Sequence, residues 1–335
     1  MSITLKDVAE RAGVSYATVS RVLAGKPNIA SDTRQRVLDA VDQLGYRPNR
    51  TARSLKTRRS DIIGLIISDI QYDFFPPLVR GVEDQTSGVG YGLFLCNSDE
   101  NTEKEMDYTE LLIQENVSGV IIAPTQEHSQ AVQRFLAANI PVVVVDRRIQ
   151  GADVDTVVID NFTAAYELAQ HLIENGYRNF GAVVGSIAAT TAKERLAGFQ
   201  KALADAGIMI DPAHVRIGAP RFDVGRQFTQ EILSTPNPPE ALLASNHLLA
   251  SGVFQTIKDL DLRIPNDVAL VAFDDPTWAS LVEPTLTVAA QKAYSVGETA
   301  AQLLLKRILQ PDLSIQMRVL EAEIRIRESS RRSDT

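Results

Sequence analysis

The stretch Thr4–Leu23, TLKDVAERAGVSYATVSRVL, constrains the fold more than any other part of the chain. Thr4 and Asp7 have the spacing of a capping box, which marks a helix start, and apolar residues follow at helical spacing. Gly13 interrupts that run, because a tight turn often needs a positive φ that glycine adopts cheaply. Ser15 can cap a second helix with an apolar inner face. Two short helices joined by a glycine-containing turn predict a helix-turn-helix.

The second of these helices is polar at its N-terminal end, which suits contacts with base edges and phosphates in a major groove. Tyr16, Ala17 and Arg21 are the candidates for reading bases, Ala17 only through apolar contact such as with a thymine methyl. Ser15 and Thr18 fit phosphate contact or capping better. The alternative is a generic small helical bundle whose second helix is merely solvated. The candidate DNA contacts of this region are Thr4, Ser15, Tyr16, Ala17, Thr18 and Arg21.

A third helix and a basic connector follow. Ser31 opens the helix and Gly45 stops it. Its predicted apolar stripe consists of Val37, Leu38, Val41 and Leu44. The connector, YRPNRTARSLKTRRS, spans residues 46–60 and is rich in arginine and lysine.

Charge is divided unevenly along the chain. The net charge of the 335 residues is −8, yet residues 1–60 hold 12 Lys and Arg against 5 Asp and Glu, which leaves −15 on the remainder. A basic head on an acidic body fits phosphate contact at one end only. A uniformly solvated surface would not predict opposite signs on the two parts.

The order of these motifs resembles that of the LacI/GalR family of bacterial transcription regulators, and the likeness covers essentially the whole chain. The resemblance rests on TLKDVAERAGVSYATVSRVL followed by GYRPNRTARSLKTRRSDIIGLI. It implies that residues 47–60 form a hinge helix that orders on DNA. Paired hinge helices of a dimer would enter the minor groove and wedge a leucine, here Leu55, into a base step. The alternative is a disordered linker. The implied contacts are Asn49, Ala52, Arg53, Leu55 and Lys56.

From Asp61 onward, strand-like runs alternate with amphipathic segments of helix length, which predicts parallel sheets with helices on both faces. The resemblance implies a periplasmic-binding-protein-like body of two α/β lobes behind a small all-α helix-turn-helix head. Such a body binds small ligands between its lobes, at the carboxyl ends of the strands. The predicted segments are 1–46 for the head, 47–60 for the hinge, 61–161 with 290–320 for the N-terminal lobe, and 162–289 with 321–335 for the C-terminal lobe.

Polar and aromatic residues recur where predicted strands end. One such residue alone is usually a helix cap or a turn residue, so the repetition is the stronger signal. The resemblance implies that several of these positions contact a sugar or purine effector. The candidates for effector binding are Phe74, Phe75, Asp146, Arg147, Asp160, Arg195, Phe222, Asn246 and Asp274.

Two departures from the family pattern affect this site. Many relatives have Asn-Asp where this chain has Asn246-His247. Arg147, next to Asp146, would add a positive charge if it turned into the cleft, which would favour an acidic sugar or a phosphorylated ligand.

The expected function is therefore a ligand-responsive DNA-binding regulator, a repressor of carbohydrate or related metabolic genes. One helix-turn-helix reads only a half-site, so a homodimer on a palindromic operator is expected. The effector is expected to be a sugar, a sugar derivative or a purine, with no cofactor or metal. No signal peptide, membrane-length run or catalytic motif is visible, and the single Cys96 fits a reducing cytoplasm. The alternative is a non-exported solute-binding or enzymatic α/β domain tethered to DNA.

Overall fold

The computed structural model describes residues 3–23, 27, 29–46 and 60–332. The chain divides into two compact units, Met1–Ser60 and Asp61–Thr335. Within the described residues, no helix combines the length and apolar character that a membrane crossing requires.

The first unit is a three-helix head, as predicted. Thr4 caps the first helix through a complete capping box, in which the Thr4 backbone N–H donates to Asp7 Oδ2 at 2.7 Å. Gly13 and Gly45 end two of the helices at φ of 64° and 60°, the left-handed conformation that glycine adopts at little cost. The helices are α1 (Leu5–Ala12), α2 (Tyr16–Leu23) and α3 (Ser31–Leu44).

The core of the head differs from the predicted stripe at one position. Leu38 is 44% exposed, whereas Val37 and Ala40 are buried. Adjacent residues are about 100° apart around a helix, and here Val37 points to the core while Leu38 lies at the solvent edge of the apolar stripe.

The second unit begins with a sheet of six parallel strands in the spatial order β11-β5-β4-β3-β1-β2. Its central strands are buried at every position, because helices cover both faces of the sheet. These helices and the first sheet form the first lobe. The strands are β1 (Ile62–Ile67), β2 (Gly92–Asn97), β3 (Gly119–Ile122), β4 (Val142–Val145), β5 (Asp155–Ile159) and β11 (Met317–Leu320). The helices are α4 (Phe75–Ser87), α5 (Thr102–Gln114), α6 (Gln130–Ala137) and α11 (Ala293–Leu309).

A second six-stranded sheet, in the order β12-β10-β9-β8-β6-β7, forms the second lobe with four further helices. All its pairs are parallel except that of β10 with β12, which is antiparallel. The strands are β6 (Phe180–Val184), β7 (Val215–Ile217), β8 (Ala241–Ala244), β9 (Ala269–Phe273), β10 (Thr287–Ala290) and β12 (Glu323–Arg325). The helices are α7 (Asn161–Glu174), α8 (Thr190–Asp205), α9 (Phe222–Leu233) and α10 (His247–Asp259).

The chain passes between the lobes three times: after β5, after β10, and between β11 and β12. All three passages are short. In each sheet the parallel strands end at the edge from which these passages and the loops into the helices begin. The residues that follow the strands of both lobes therefore lie close together, between the lobes.

Neighbouring helices within each lobe approach closely at glycines. A Cβ added to Gly297 of α11 would lie 2.0 Å from the carbonyl oxygen of Leu78 in α4. A Cβ on Gly198 of α8 would lie 2.1 Å from the carbonyl oxygen of Phe162 in α7. Both distances are far below van der Waals contact, so any side chain at these positions would force the helices apart.

Candidate functional site

The outer surface of α2 carries the residues predicted to read bases. Val19 and Val22 are buried and anchor the helix to the core of the head. Tyr16 is 56% exposed, and Ala17 and Arg21 are also exposed. The helix therefore presents an aromatic, an apolar and a cationic side chain to solvent, which are the groups a major groove can accept.

The other predicted contacts of the head serve as caps. The Thr18 backbone N–H donates to Ser15 Oγ at 3.1 Å, and the two hydroxyl oxygens lie 2.8 Å apart. Thr4 holds Asp7 as described above. Thr4 and Ser15 remain exposed and Thr18 is half-buried, so capping does not bar them from phosphate contact. The predicted hinge contacts lie outside the described residues, and the hinge helix therefore stays a prediction: Asn49, Ala52, Arg53, Leu55 and Lys56.

A cavity of about 400 Å³ lies between the two lobes of the second unit. Both sheets point the carboxyl ends of their strands towards it, and nearly every lining residue follows a strand or begins the next helix. Phe74 and Phe75, whose rings meet edge to face with centroids 5.3 Å apart, provide an aromatic wall. Seven of the nine predicted residues line the cavity: Phe74, Phe75, Asp146, Arg147, Arg195, Asn246 and Asp274.

Two predicted residues are placed elsewhere. Asp160 is the N-cap of α7, where its Oδ1 accepts from the Thr163 backbone N–H at 3.0 Å. Phe222 opens α9 and is 43% exposed, in a shallow surface groove that it shares with Leu260. The capping role of Asp160 is the ordinary use of a carboxylate after a strand.

Arg147 does turn inward, but its charge is already compensated. Its Nη1 donates to Glu100 Oε2 at 2.8 Å and to the Pro124 carbonyl at 3.0 Å, and its Nη2 donates to Glu100 Oε1. Its Nε lies 3.3 Å from Asp146 Oδ2. The guanidinium is thus bidentate on one carboxylate and close to a second, so it offers no free positive charge to a ligand.

Arg195 is likewise held by the protein. Its Nε donates to Asn161 Oδ1 and its Nη1 to the Ser245 carbonyl, each at 2.7 Å. Its guanidinium carbon lies 4.2 Å from the centroid of the Phe273 ring, within the range of a cation–π contact. These contacts fix the plane of the guanidinium group of Arg195, which lines the cavity.

Asp274 ends β9 and gathers three donors. Gln291 Nε2 donates to its Oδ1 at 2.6 Å, while its Oδ2 accepts from the His247 backbone N–H at 3.1 Å and lies 3.2 Å from His247 Nδ1. Burial alone would raise the pKa of Asp274, but the hydrogen bond with His247 and the charge of Arg195 lower it to about 2. The carboxylate is therefore ionised.

Buried polar atoms without a hydrogen-bond partner are concentrated at the cavity. Among the described residues there are six such side-chain atoms. Four belong to residues that line the cavity: Ser68 Oγ, Arg147 Nε, His247 Nε2 and Gln291 Oε1. A buried polar atom without a partner costs about 1–3 kcal/mol, and one polar ligand could satisfy several of them.

Sequence reasoning missed two lining residues that anchor this chemistry, Glu100 and Gln291. Glu100 follows β2 and Gln291 follows β10 directly. The expectation that polar residues after a strand line the cleft would have identified both residues, had it been applied to these two strands.

Comparison with known proteins identifies similar chains over nearly the full length. Residues 4–49 match the family described as bacterial regulatory proteins, lacI family, and residues 60–331 match periplasmic binding proteins and sugar binding domain of LacI family. The HTH-type transcriptional regulator RegA of Clostridium saccharobutylicum is 34% identical over 98% of this chain and 100% of its own length.

Two solved structures show the same architecture. One is the lac repressor dimer bound to operator and the anti-inducer ONPF, with a TM-score of 0.87 and 27% identity over 98% of this chain and 99% of that one. The other is a complex of the transcriptional regulator CelR with cellobiose, with a TM-score of 0.75 and 30% identity over 98% and 99%.

Proposed function

This chain belongs to the LacI family of ligand-responsive transcription regulators, and we propose that it represses carbohydrate or related metabolic genes from a palindromic operator. In this proposal it binds DNA as a homodimer and a small effector in the cavity switches it. The family is one of regulators and not of enzymes, which removes the enzymatic alternative. The same proposal places the protein in the cytoplasm. It also assigns residues 61–161 with 290–320 to the N-terminal lobe and residues 162–289 with 321–335 to the C-terminal lobe.

The effector we propose is a neutral sugar or sugar derivative. The observation that carries this is the charge compensation around Arg147, which Glu100 and Asp146 neutralise. The charged lining groups are two arginines and three carboxylates, so an anionic ligand would meet no uncompensated cation. Hydroxyls can both donate and accept, which suits the four unpartnered atoms, and the aromatic wall can pack against the apolar face of a sugar ring. CelR, to which the chain is similar, binds cellobiose.

The test is a thermal-shift panel on the full-length protein. The neutral probes are glucose, galactose, ribose, maltose, lactose and cellobiose, and they are compared with gluconate, glucose 6-phosphate, adenine and guanine. A ligand that binds only the folded protein raises its melting temperature in a concentration-dependent way. We expect a neutral saccharide to give the largest rise. A larger rise with the sugar acid or the sugar phosphate would contradict the proposed effector class.

DNA reading by α2 is tested on an operator selected from random duplexes. Replacing Arg21 or Tyr16 with Ala should weaken operator binding by about 1–3 kcal/mol, as expected for loss of one good base contact. Gln35→Ala on α3 is the control, because Gln35 is exposed and its side-chain amide donates to Asp39 of its own helix. Fluorescence anisotropy gives the affinities. Equal effects of all three variants would remove α2 as the reading helix.

The homodimer is supported by apolar side chains that remain exposed on both lobes. Leu281 is 76% exposed, and Phe94 and Leu95 on the edge strand β2 are 37% and 41% exposed. Leu281→Arg should shift the sedimentation of the protein towards the monomer. Met209→Arg controls for the added charge, since it makes the same kind of change at the 94% exposed Met209 in the segment after α8. An unchanged dimer in the Leu281 variant would place the interface elsewhere.

A further inference from the structure

His247 lines the cavity from the second lobe. It is the first residue of α10 and is 5% exposed. Its Nδ1 lies 3.2 Å from Asp274 Oδ2, and its ring meets the Tyr72 ring edge to face with centroids 6.1 Å apart. Tyr72 belongs to the first lobe and His247 to the second, so this contact joins the two walls of the cavity.

The partner of Nδ1 decides what the other ring nitrogen can do. Asp274 is ionised and can only accept, so the Nδ1 atom of His247 carries a hydrogen. In the neutral imidazole the Nε2 atom is then an acceptor. Nε2 is buried, and no side chain or backbone group in the described part of the chain bonds to it.

Gln291 repeats this arrangement on the other oxygen of Asp274. Its Nε2 donates to Asp274 Oδ1 at 2.6 Å, which leaves its Oε1 buried and without a partner in the described residues. The Asp274 carboxylate therefore orients two side chains that line the cavity, and each of them retains one buried acceptor without a partner in the described residues. Three of the four lone-pair sites of the carboxylate are occupied in doing so.

Resting on the proposed function, we propose that His247 selects the effector by accepting a hydroxyl hydrogen at Nε2, with Gln291 accepting a second one. Asp274, expected from the sequence to bind the effector itself, is in this arrangement a positioning residue. A saccharide that lacks the hydroxyl facing His247 leaves the buried nitrogen unpartnered and is rejected, because a site built to bond a hydroxyl discriminates strongly against its absence.

Protonation of His247 removes this acceptor, which gives the arrangement a pH signature. The charged or titratable groups that face His247 are Asp274 at the end of β9, Asp73 and Tyr72 after β1, and Arg195 on α8. Burial opposes the charged imidazole, but the hydrogen bond and charge of Asp274 outweigh it and raise the pKa of His247. An effector hydroxyl that donates to Nε2 favours the neutral ring, so affinity should fall on acidification through the His247 pKa.

The experiment uses the full-length protein and the neutral saccharide that gives the largest shift in the panel. Its dissociation constant and those of its monodeoxy analogues are measured by calorimetry between about pH 6 and pH 8, where histidine titrates. We expect one deoxy analogue to bind wild type at least about tenfold more weakly, which is about 1.4 kcal/mol. His247→Ala should bind the parent sugar that much more weakly and lose the discrimination. His247→Gln should regain part of the affinity with a flat pH profile.

His128→Gln is the matched control, because His128 is exposed and does not line the cavity. It should keep both the wild-type affinity and the wild-type pH profile. If His247→Ala does not fold, the flat profile of His247→Gln carries the test. If no saccharide binds wild type, the proposed function fails. If a saccharide binds but the His247 variants keep the wild-type discrimination and pH profile, only this inference is overturned. A rise in affinity on acidification overturns it as well.

Discussion

Asp146 and Asp274 occupy equivalent places in the two lobes and behave in opposite ways. Each follows a buried strand of its sheet, each has a left-handed backbone with φ of 67° and 71°, and each lines the cavity. Burial raises the pKa of Asp146, despite the nearby charges of Arg147 and Arg195. The pKa of Asp274 is instead lowered to about 2.

Hydrogen bonds account for this difference. The Asp274 carboxylate accepts hydrogen bonds from the backbone N–H and the ring Nδ1 of His247 and from the side-chain amide of Gln291. Asp146 has Arg147 3.3 Å away, but that guanidinium gives its hydrogen bonds to Glu100 and Pro124. A nearby positive charge therefore does less for a buried carboxylate than donors aimed at its oxygens.

The largest effect is expected from removing the cation of the first lobe. Arg147→Met leaves the largely buried Asp146 and the partly exposed Glu100 without a counter-charge, and should lower the free energy of unfolding by about 3 kcal/mol. Urea denaturation at neutral pH measures this. Arg148→Met is the control: Arg148 pairs with Glu194 at 2.8 Å but its side chain is 35% exposed, so its loss should cost below about 1 kcal/mol. Equal losses in the two variants would show that the charge on Arg147 is not needed for stability.

Asp274→Asn should lower the free energy of unfolding by about 2 kcal/mol at neutral pH, since it removes a carboxylate that is more acidic in the folded protein than in the unfolded chain. A depressed pKa stabilises the fold above the unfolded value of about 3.9 and ceases to do so as the pH falls towards about 2. The difference between wild type and variant should therefore shrink over that interval. Urea titrations at several pH values across this interval measure the difference. A difference that stays constant with pH would mean that the carboxylate charge is not the cause.

Asp146→Asn should have the opposite sign. A raised pKa means that the folded protein holds the proton more tightly, so ionisation of Asp146 destabilises the fold as the pH rises above the unfolded value. Removing the ionisable group should therefore increase the free energy of unfolding at neutral pH. The same titrations measure it. A loss as large as that of Asp274→Asn would abolish the contrast between the lobes.

The smallest effect is expected at the rim of the cavity, where the lobes are joined by an ion pair between Lys193 Nζ and Glu127 Oε1 at 2.6 Å. The lysine side chain is 54% exposed, so Lys193→Gln should change the free energy of unfolding by less than about 1 kcal/mol. Because the pair spans the two lobes, it should change effector affinity by a few-fold. A large loss of stability would indicate that the rim, and not the cavity lining, holds the lobes together.

The fold could be predicted from the sequence because its signals are local. Capping at Thr4, the glycine turn at Gly13 and the alternation of strands and helices each lie within a few residues, and the structure reproduces them. The antiparallel pairing of β12 could not be predicted, since three residues carry no clear pattern. Leu38 was placed in the core because apolar character alone does not show which edge of the helix stripe faces solvent.

The site was predicted in outline but not in its hydrogen bonding. Strand-end position together with the family resemblance led to seven lining residues, whereas Asp160 also follows a strand and serves as a helix cap. What the sequence could not show is pairing between residues distant in the chain: Arg147 bonds to Glu100, which lies 47 positions earlier, and Asp274 bonds to Gln291, which lies 17 positions later. The inward turn of Arg147 was foreseen as one possibility, but its neutralisation by Glu100 was not.

The backbone-to-backbone packing at Gly198 and Gly297 bears on how a signal leaves the cavity. Because these helices pack backbone against backbone, displacement of one helix should displace the other. Each lobe should therefore respond to a bound ligand as a rigid body. A change in the angle between the lobes would then alter the backbone conformation of the three short passages between them. Gln291 lies in the passage that follows β10. Gln291, which contacts the effector in the proposed arrangement, would therefore also lie in a segment whose conformation changes when the lobes move.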